Sequence, residues 1–249
     1  IALGAIRSQL LRTVLTVFII ASGIWALVGI LSAVNALENS LMSNFAAMGS
    51  NTFSISQYDY SSQVNRNSSE TKINPAINYN QAKAFKENFQ EPFAQTSLSF
   101  TASSVVEVKY ENKKTDPEVT IIGADETFFE NSGLKVSEGN VFSKTDILNN
   151  LPICVIGSDL TKDLLKDLNP INKTISIRGK KFRIAGVLEE KGSMFGNKQD
   201  LRVFIPLQKA RSLFSQPNIN YDIKVLVKKK EFLNDNIDQA VLTMRSIRS

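Results

Sequence analysis

The chain contains no histidine, and its only cysteine is Cys154. Without imidazole, the usual zinc sites and the Ser-His-Asp and Cys-His nucleophile arrangements are excluded. One cysteine cannot form an internal disulfide. It lies in Ile153-Cys154-Val155-Ile156, an apolar run that predicts a buried strand and an inert thiol. No Gly-x-x-x-x-Gly-Lys stretch occurs, so no Walker-type phosphate loop is encoded here. The cations behind the net charge of +5 are scattered, with Lys228-Lys229-Lys230 the only run of three, and they leave no nucleic-acid footprint. Asp116, Glu118, Asp125 and Glu126 stand close in sequence but flank a strand and a turn, so they read as surface rather than as paired catalytic carboxylates.

Charge is also missing from one long stretch. No charged residue lies between Arg12 and Glu38, and no acid occurs among the first 37 residues. Thr13 to Leu37 as a helix is about 38 Å long, more than the roughly 30 Å of hydrocarbon in a bilayer. The reading is a transmembrane helix over 13–37. Arg7 and Arg12 place the short segment 1–12 in the cytoplasm and send everything from about residue 38 outward. A cleaved signal peptide ending at Ala33 to Ala36 is the rival, but the run is long for an h-region of about 7–15 residues. Ser22, Ala26, Gly29 and Ala33 recur at spacings that align small side chains on one helix face, suited to close packing against another helix. Such helices are not in the sequence, and Ile1 is no initiator, so a longer membrane protein is expected.

Leu37, Leu41, Phe45 and Met48 extend the helical period beyond the span as an amphipathic stalk over 38–50, ended by Gly49. The rest reads as an α+β domain. A strand at 52–56 precedes a polar loop at 57–78 and a helix from Gln81 to Phe89 capped by Asn80. Strands are expected at about 94–100, 103–110 and 119–122, and a short helix at 125–131. A buried strand at 153–156 precedes a helix over 159–168, and a hairpin turns at Arg178-Gly179-Lys180. Lys191 to Gln199 reads as a loop whose Met194 and Phe195 are apolar where polar residues are normal, a candidate partner contact. A strand at 201–205 leads through Pro206 into a helix, a last strand at 221–227, and a closing helix over 231–247. Residues 51–100 and 201–249 therefore suggest a split βαβ, ferredoxin-like and porter-like subdomain, with 101–200 inserted as a β-rich subdomain. The closing helix is expected to head back toward the stalk.

At several points the residues resemble MacB/FtsX-type ABC transporter permeases. Leu11-Arg12-Thr13 running into Leu15-Thr16 is similar to the start of their first helix. Met48-Gly49-Ser50-Asn51-Thr52-Phe53, Val155-Ile156-Gly157, Gly186-Val187 within the Lys173 to Val187 hairpin, and Phe204-Ile205-Pro206-Leu207 follow in the family's order. The resemblance implies a bacterial inner-membrane permease subunit with a periplasmic core domain after its first helix. It implies a homodimer or heterodimer of permease subunits and a separate ABC ATPase subunit or segment, and it allows a periplasmic adaptor and an outer-membrane partner. The function it implies is mechanotransmission: ATP-driven motion of the bundle coupled to efflux or extraction of periplasmic substrates. It supplies no catalytic, cofactor-binding or metal-ligating residue, and no cofactor is expected. The alternative is an extracytoplasmic ligand-binding sensor domain of a membrane receptor.

Overall fold

The computed structural model describes residues 2–47, 51–57, 74–166, 168–190, 200–215 and 217–248. The chain forms two compact units, Ile1–Ala47 and Met48–Ser249. The first is one helix, α1 (Ala2–Ala47), unbroken from residue 2 through the expected span and into the expected stalk as far as residue 47; the expected stop at Gly49 lies outside the described residues.

The second unit is built on an eleven-stranded sheet with helices laid against it. In chain order its elements begin with β1 (Thr52–Ile55), α2 (Tyr79–Asn88), β2 (Ala94–Val106), β3 (Val108–Tyr110), β4 (Lys113–Lys114) and β5 (Val119–Ala124). Next come α3 (Phe128–Asn131), β6 (Val136–Gly139), α4 (Lys144–Leu148), β7 (Ile153–Ile156) and α5 (Ser158–Leu160), which continues as a π-helical turn, Thr161–Leu165. β8 (Thr174–Ile177), β9 (Lys180–Leu188), β10 (Arg202–Pro206), α6 (Leu207–Leu213), β11 (Asp222–Val227) and α7 (Leu233–Arg248) complete it.

The strand order is β1-β11-β2-β5-β10-β7-β9-β8-β3-β4, with β6 on β9. β11 pairs antiparallel with both β1 and β2, so β1 and β2 run parallel with β11 between them, and α2 makes the crossover. β10 runs parallel to β5 and α6 carries the chain from β10 back to β11. The split βαβ expected from the sequence is thus present, and the fold is α+β. What differs is the boundary of the insertion. Residue 100 falls inside β2, a single strand of 13 residues rather than the two expected. β5, which belongs to the inserted segment in sequence, sits between β2 and β10 in the same sheet. The alternation of apolar side chains breaks off after Ala102, at two register shifts, Thr101/Ser103 and Ser103/Val106, which bend the strand without ending it.

That bend closes the sheet on itself. The ribbon 94–110 pairs with β5 through β2 and, directly afterwards, with β8 through β3. One ribbon therefore joins both sides of the run β5-β10-β7-β9-β8. Inside lie Val106, Val108, Val119, Ile121, Cys154, Ile156, Ile177, Ile184, Val203 and Ile205, all buried. Alternate residues of the same strands, Ile153, Val155 and Phe204, turn to a second apolar cluster with Phe129 and Phe142. Sheet residues buried on both faces read as unbroken apolar runs, and Ile153 to Ile156 is such a run. α2 begins two residues earlier than expected. Asn78, not Asn80, accepts from the Gln81 N–H (2.9 Å), and the Gln81 side chain accepts from the Asn78 N–H (3.1 Å). The reciprocal pair outcompetes a lone cap.

Candidate functional site: the span and the elements that lead from it

On α1, Val14–Ala36 forms a candidate membrane span of 23 residues with a mean hydropathy of 2.5. Its side chains are all exposed, Trp25 and Phe18 the most so. Two of its hydroxyls are bonded within the helix: Thr16 donates to the Arg12 carbonyl (3.0 Å) and Ser22 to the Ile19 carbonyl (2.9 Å). Ser22, Ala26, Gly29 and Ala33 all lie on this span, and an added Cβ at Gly29 would meet nothing within 4 Å. Among the described residues no second helix is long and apolar enough to cross a membrane. Leu37, Leu41 and Phe45 belong to the unbroken helix, but their side chains, and all of Met48, lie outside the described residues, as do Met194 and Phe195.

The domain that follows receives the chain at one corner of its sheet. Val227 N–H donates to the Asn51 carbonyl (2.8 Å) and Lys228 N–H to the Phe93 carbonyl (2.8 Å). The strand that enters the domain and the strand that leads to α7 are therefore neighbours. Phe93 holds this corner. It is the third residue of a turn closed by Ala94 N–H onto the Glu91 carbonyl (3.2 Å), with Pro92 second, and its φ is +61°. Glycine is the usual residue there. The aromatic ring stacks against Phe232 (5.3 Å between centroids) and beneath the Lys229 ammonium (4.1 Å), tying the start of α7 to the start of β2.

α7 does not turn back toward that corner. Its inner face, Asn236, Ala240 and Met244, packs on α2, and it runs to Arg248, whose guanidinium donates to the Pro75 carbonyl (3.0 Å). Pro75 lies beside Ile77, which exchanges hydrogen bonds with Asn220 and Tyr221 at the opposite end of β11. Within this unit α7 therefore ends beside the end of β11 that is farther from Asn51. The amphipathic period showed which face is buried; only the α2 partner shows which way the helix runs. Ala240 is buried on this face, and its neighbour Val241 is exposed.

Two charged clusters lie elsewhere in the unit. Asp125, expected at the surface, is buried: Lys86 Nζ on α2 approaches its Oδ2 at 2.7 Å and Glu126 at 3.3 Å. The Leu98 N–H (2.7 Å) and the Thr127 hydroxyl (3.1 Å) also donate to Asp125. Burial pushes the Asp125 carboxyl above its ordinary range, opposed by Lys86 and then the Leu98 N–H. Burial would lower the Lys86 ammonium, but Asp125 and Glu126 overcome it and raise it. Asp116 and Glu118 are exposed as expected. The second cluster brings carboxylate oxygens of Asp159, Glu190 and Asp200 within 4.8 Å of one another. Its cation is internal: Lys162 Nζ lies 2.8 Å from Glu190 and 3.4 Å from Asp159. Cys154 is fully buried, its Sγ 3.7 Å from the Arg183 carbonyl, and burial raises its thiol far above the ordinary value, as befits an inert core residue.

Comparison with known proteins places this architecture. The profile of the MacB-like periplasmic core domain matches residues 13–241. The macrolide export ATP-binding/permease protein MacB of Vibrio parahaemolyticus is 27% identical over 205 residues, 82% of this chain and 30% of that protein. The protein of the same name from Hahella chejuensis is 25% identical over 247 residues, 98% of this chain and 36% of its own length. The chain thus spans about a third of the curated relatives it matches. Among solved structures, the periplasmic region of MacB from Actinobacillus actinomycetemcomitans aligns with a TM-score of 0.62 at 18% identity, covering 82% of this chain and 87% of that one. The extracellular domain of the noncanonic ABC-type transporter YknZ from Gram-positive bacteria aligns with a TM-score of 0.58 at 16% identity, covering 79% and 94%. Both share the fold.

Proposed function

The chain belongs to the MacB-like periplasmic core domain family, and from that premise we propose that it is part of the permease subunit of an ATP-driven ABC transporter in a bacterial inner membrane. One observation carries the reading. A 23-residue apolar span and a family-matching domain follow one another in a single chain, with three residues between the end of α1 and Asn51. α1 crosses the membrane, and the unit after it stands in the periplasm. The domain acts as a transmission body: motion of the bundle reaches β1 through α1 and spreads into a sheet that β11 shares with the start of α7. ATP hydrolysis belongs to a partner subunit or to a further segment, the working form is a dimer of permease subunits, and this unit needs neither catalytic residues nor a cofactor. A periplasmic adaptor and an outer-membrane partner complete the path for an exported or extracted substrate.

Affinity purification of the full-length gene product in mild detergent tests this, with ATPase activity measured on whatever accompanies it. An ATPase subunit that co-purifies, or ATPase activity in the product itself, is the expected result. A silent product that instead brings down a kinase or other signalling protein would overturn the proposal in favour of a sensor.

A further inference from the structure

Positive charge is concentrated on one part of the second unit. β3, β4 and the β8–β9 turn carry Lys109, Lys113, Lys114, Arg178, Lys180 and Lys181, all exposed, against Glu107 and Glu111. That leaves four net positive charges there, in a chain whose total is +5. Register sets three of the lysines in line. Lys114 stands opposite Lys109, Lys109 opposite Ser176, and Ser176 opposite Lys181. Opposed residues share a face, so these side chains form one row across four strands, at about 4.8 Å per strand. Lys109 and Lys114, directly opposite one another, share Glu107 as their counter-ion, whereas Lys181 at the far end of the row has no such carboxylate among the described residues.

Beside the row is a groove of about 330 Å³, lined by Ser103, Val105, Val106, Glu107, Ser176 and Arg178 among others. It opens where the ribbon 94–110 crosses from its β5 pairing to its β8 pairing. Val105 is 69% exposed within it, an apolar side chain amid cations. The Arg178 guanidinium sits 5.0 Å from the ring centroid of buried Phe214, so its head group is held from below. Glu107 shows what this surface does with a carboxylate: one oxygen lies 3.0 Å from Lys109 Nζ and the other 3.1 Å from Lys114 Nζ.

We infer that the groove and its lysine row are a docking surface for an acidic, extended segment of a partner protein. Its carboxylates join the lysines and Arg178, and its apolar side chains cover Val105. A polyphosphate or a lipid headgroup would have no use for an exposed valine. The chain's own remaining segments do not fit either: 58–73 balances Asp59 and Glu70 with Arg66 and Lys72, and 191–199 holds Lys191 and Lys198 and no acid. The inference stands on charge geometry, so it survives or fails apart from the transporter reading.

The test uses the full chain in phosphatidylcholine nanodiscs and a short fluorescent peptide alternating glutamate with valine. Binding should weaken as salt rises past about 0.1 M, where the Debye length is about 10 Å. Replacing Lys109 and Lys181 by Thr and Arg178 by Asn should weaken it about tenfold, the size expected when three exposed ion pairs are lost together. Removing the same charge elsewhere, through Lys83→Gln, Lys144→Gln and Lys230→Gln, should leave binding unchanged. Glu107→Gln should strengthen it by freeing Lys109 and Lys114, whereas Glu138→Gln should not. Equal losses in both triple variants, failure to bind the peptide, or tighter binding of polyphosphate or of phosphatidylglycerol vesicles would each overturn the inference.

Discussion

The ion pair between Lys86 and Asp125 ties α2 to the end of β5, and only one partner is deeply buried: the side chains are 29% and 7% exposed. Removing one member of a buried pair costs more than the pair contributes, because the other charge is left without compensation. Lys86→Met keeps the aliphatic stem and removes the ammonium. It should destabilise the second unit by about 2 kcal/mol at neutral pH, below the full cost of a buried pair because Lys86 is partly solvated. The loss should depend on pH. Burial already raises the folded-state carboxyl above its unfolded value, and without Lys86 it rises further. A raised acid means that the folded state binds the proton more tightly, so its stability is greatest below the ordinary carboxylate range and falls as pH rises through it. Thermal melts of variant and parent should therefore lie closer together at pH 4.5 than at pH 8; a gap independent of pH would show that Asp125 stays charged without its partner. This pair was not legible beforehand. Asp125 reads as a turn residue beside other acids, and the lysine that buries it lies 39 positions away.

At the scale of elements, the decisive contact is between α6 and the sheet. An added Cβ at Gly123 on β5 would stand 2.6 Å from Ala210 Cβ and 2.6 Å from a Phe100 ring carbon. Glycine to alanine in ordinary backbone normally stabilises by about 0.4–1 kcal/mol through the unfolded chain. Here Gly123→Ala should instead destabilise by about 1–2 kcal/mol, the cost of overpacking a closed interface. Ala210→Gly in the same chain should recover part of it, and simple additivity in denaturant unfolding would refute the contact. Much of this layer was legible beforehand. Period-2 runs located β1, β8, β9, β11 and the Arg178-Gly179 turn, and unbroken apolar runs located β7 and β10, because local patterning and turn chemistry decide them. The long ribbon was not, since bulges at Ser103 interrupt the pattern without interrupting the strand. Nor was the direction of α7, which depends on α2, 150 residues earlier in broad terms. The small-residue face of the span was readable as a pattern. The lysine row was not, because Lys114, Lys109 and Lys181 come together only through strand register.

For the whole molecule, the proposed topology has one helix dividing cytoplasm from periplasm. Arg7 and Arg12 precede the candidate span and Glu38 follows it, which predicts that the N-terminal side is the retained one. Cys154 makes this measurable with little alteration. It is completely buried and its thiol is held protonated by burial, so a membrane-impermeant maleimide should leave it untouched in the folded chain. Leu148, 74% exposed at the end of α4, offers a reactive position in the same unit. In intact spheroplasts Leu148→Cys should label fully and the parent not at all, while Ser8→Cys should label only after permeabilisation. The labelled product should also stay with the membrane through a carbonate wash. The opposite labelling order would invert the topology and remove the second unit from the periplasm. Release of a soluble, labelled domain would instead mean that the span is cut at the Ala33 to Ala36 exit, and the transmission reading would then lose the helix on which it depends.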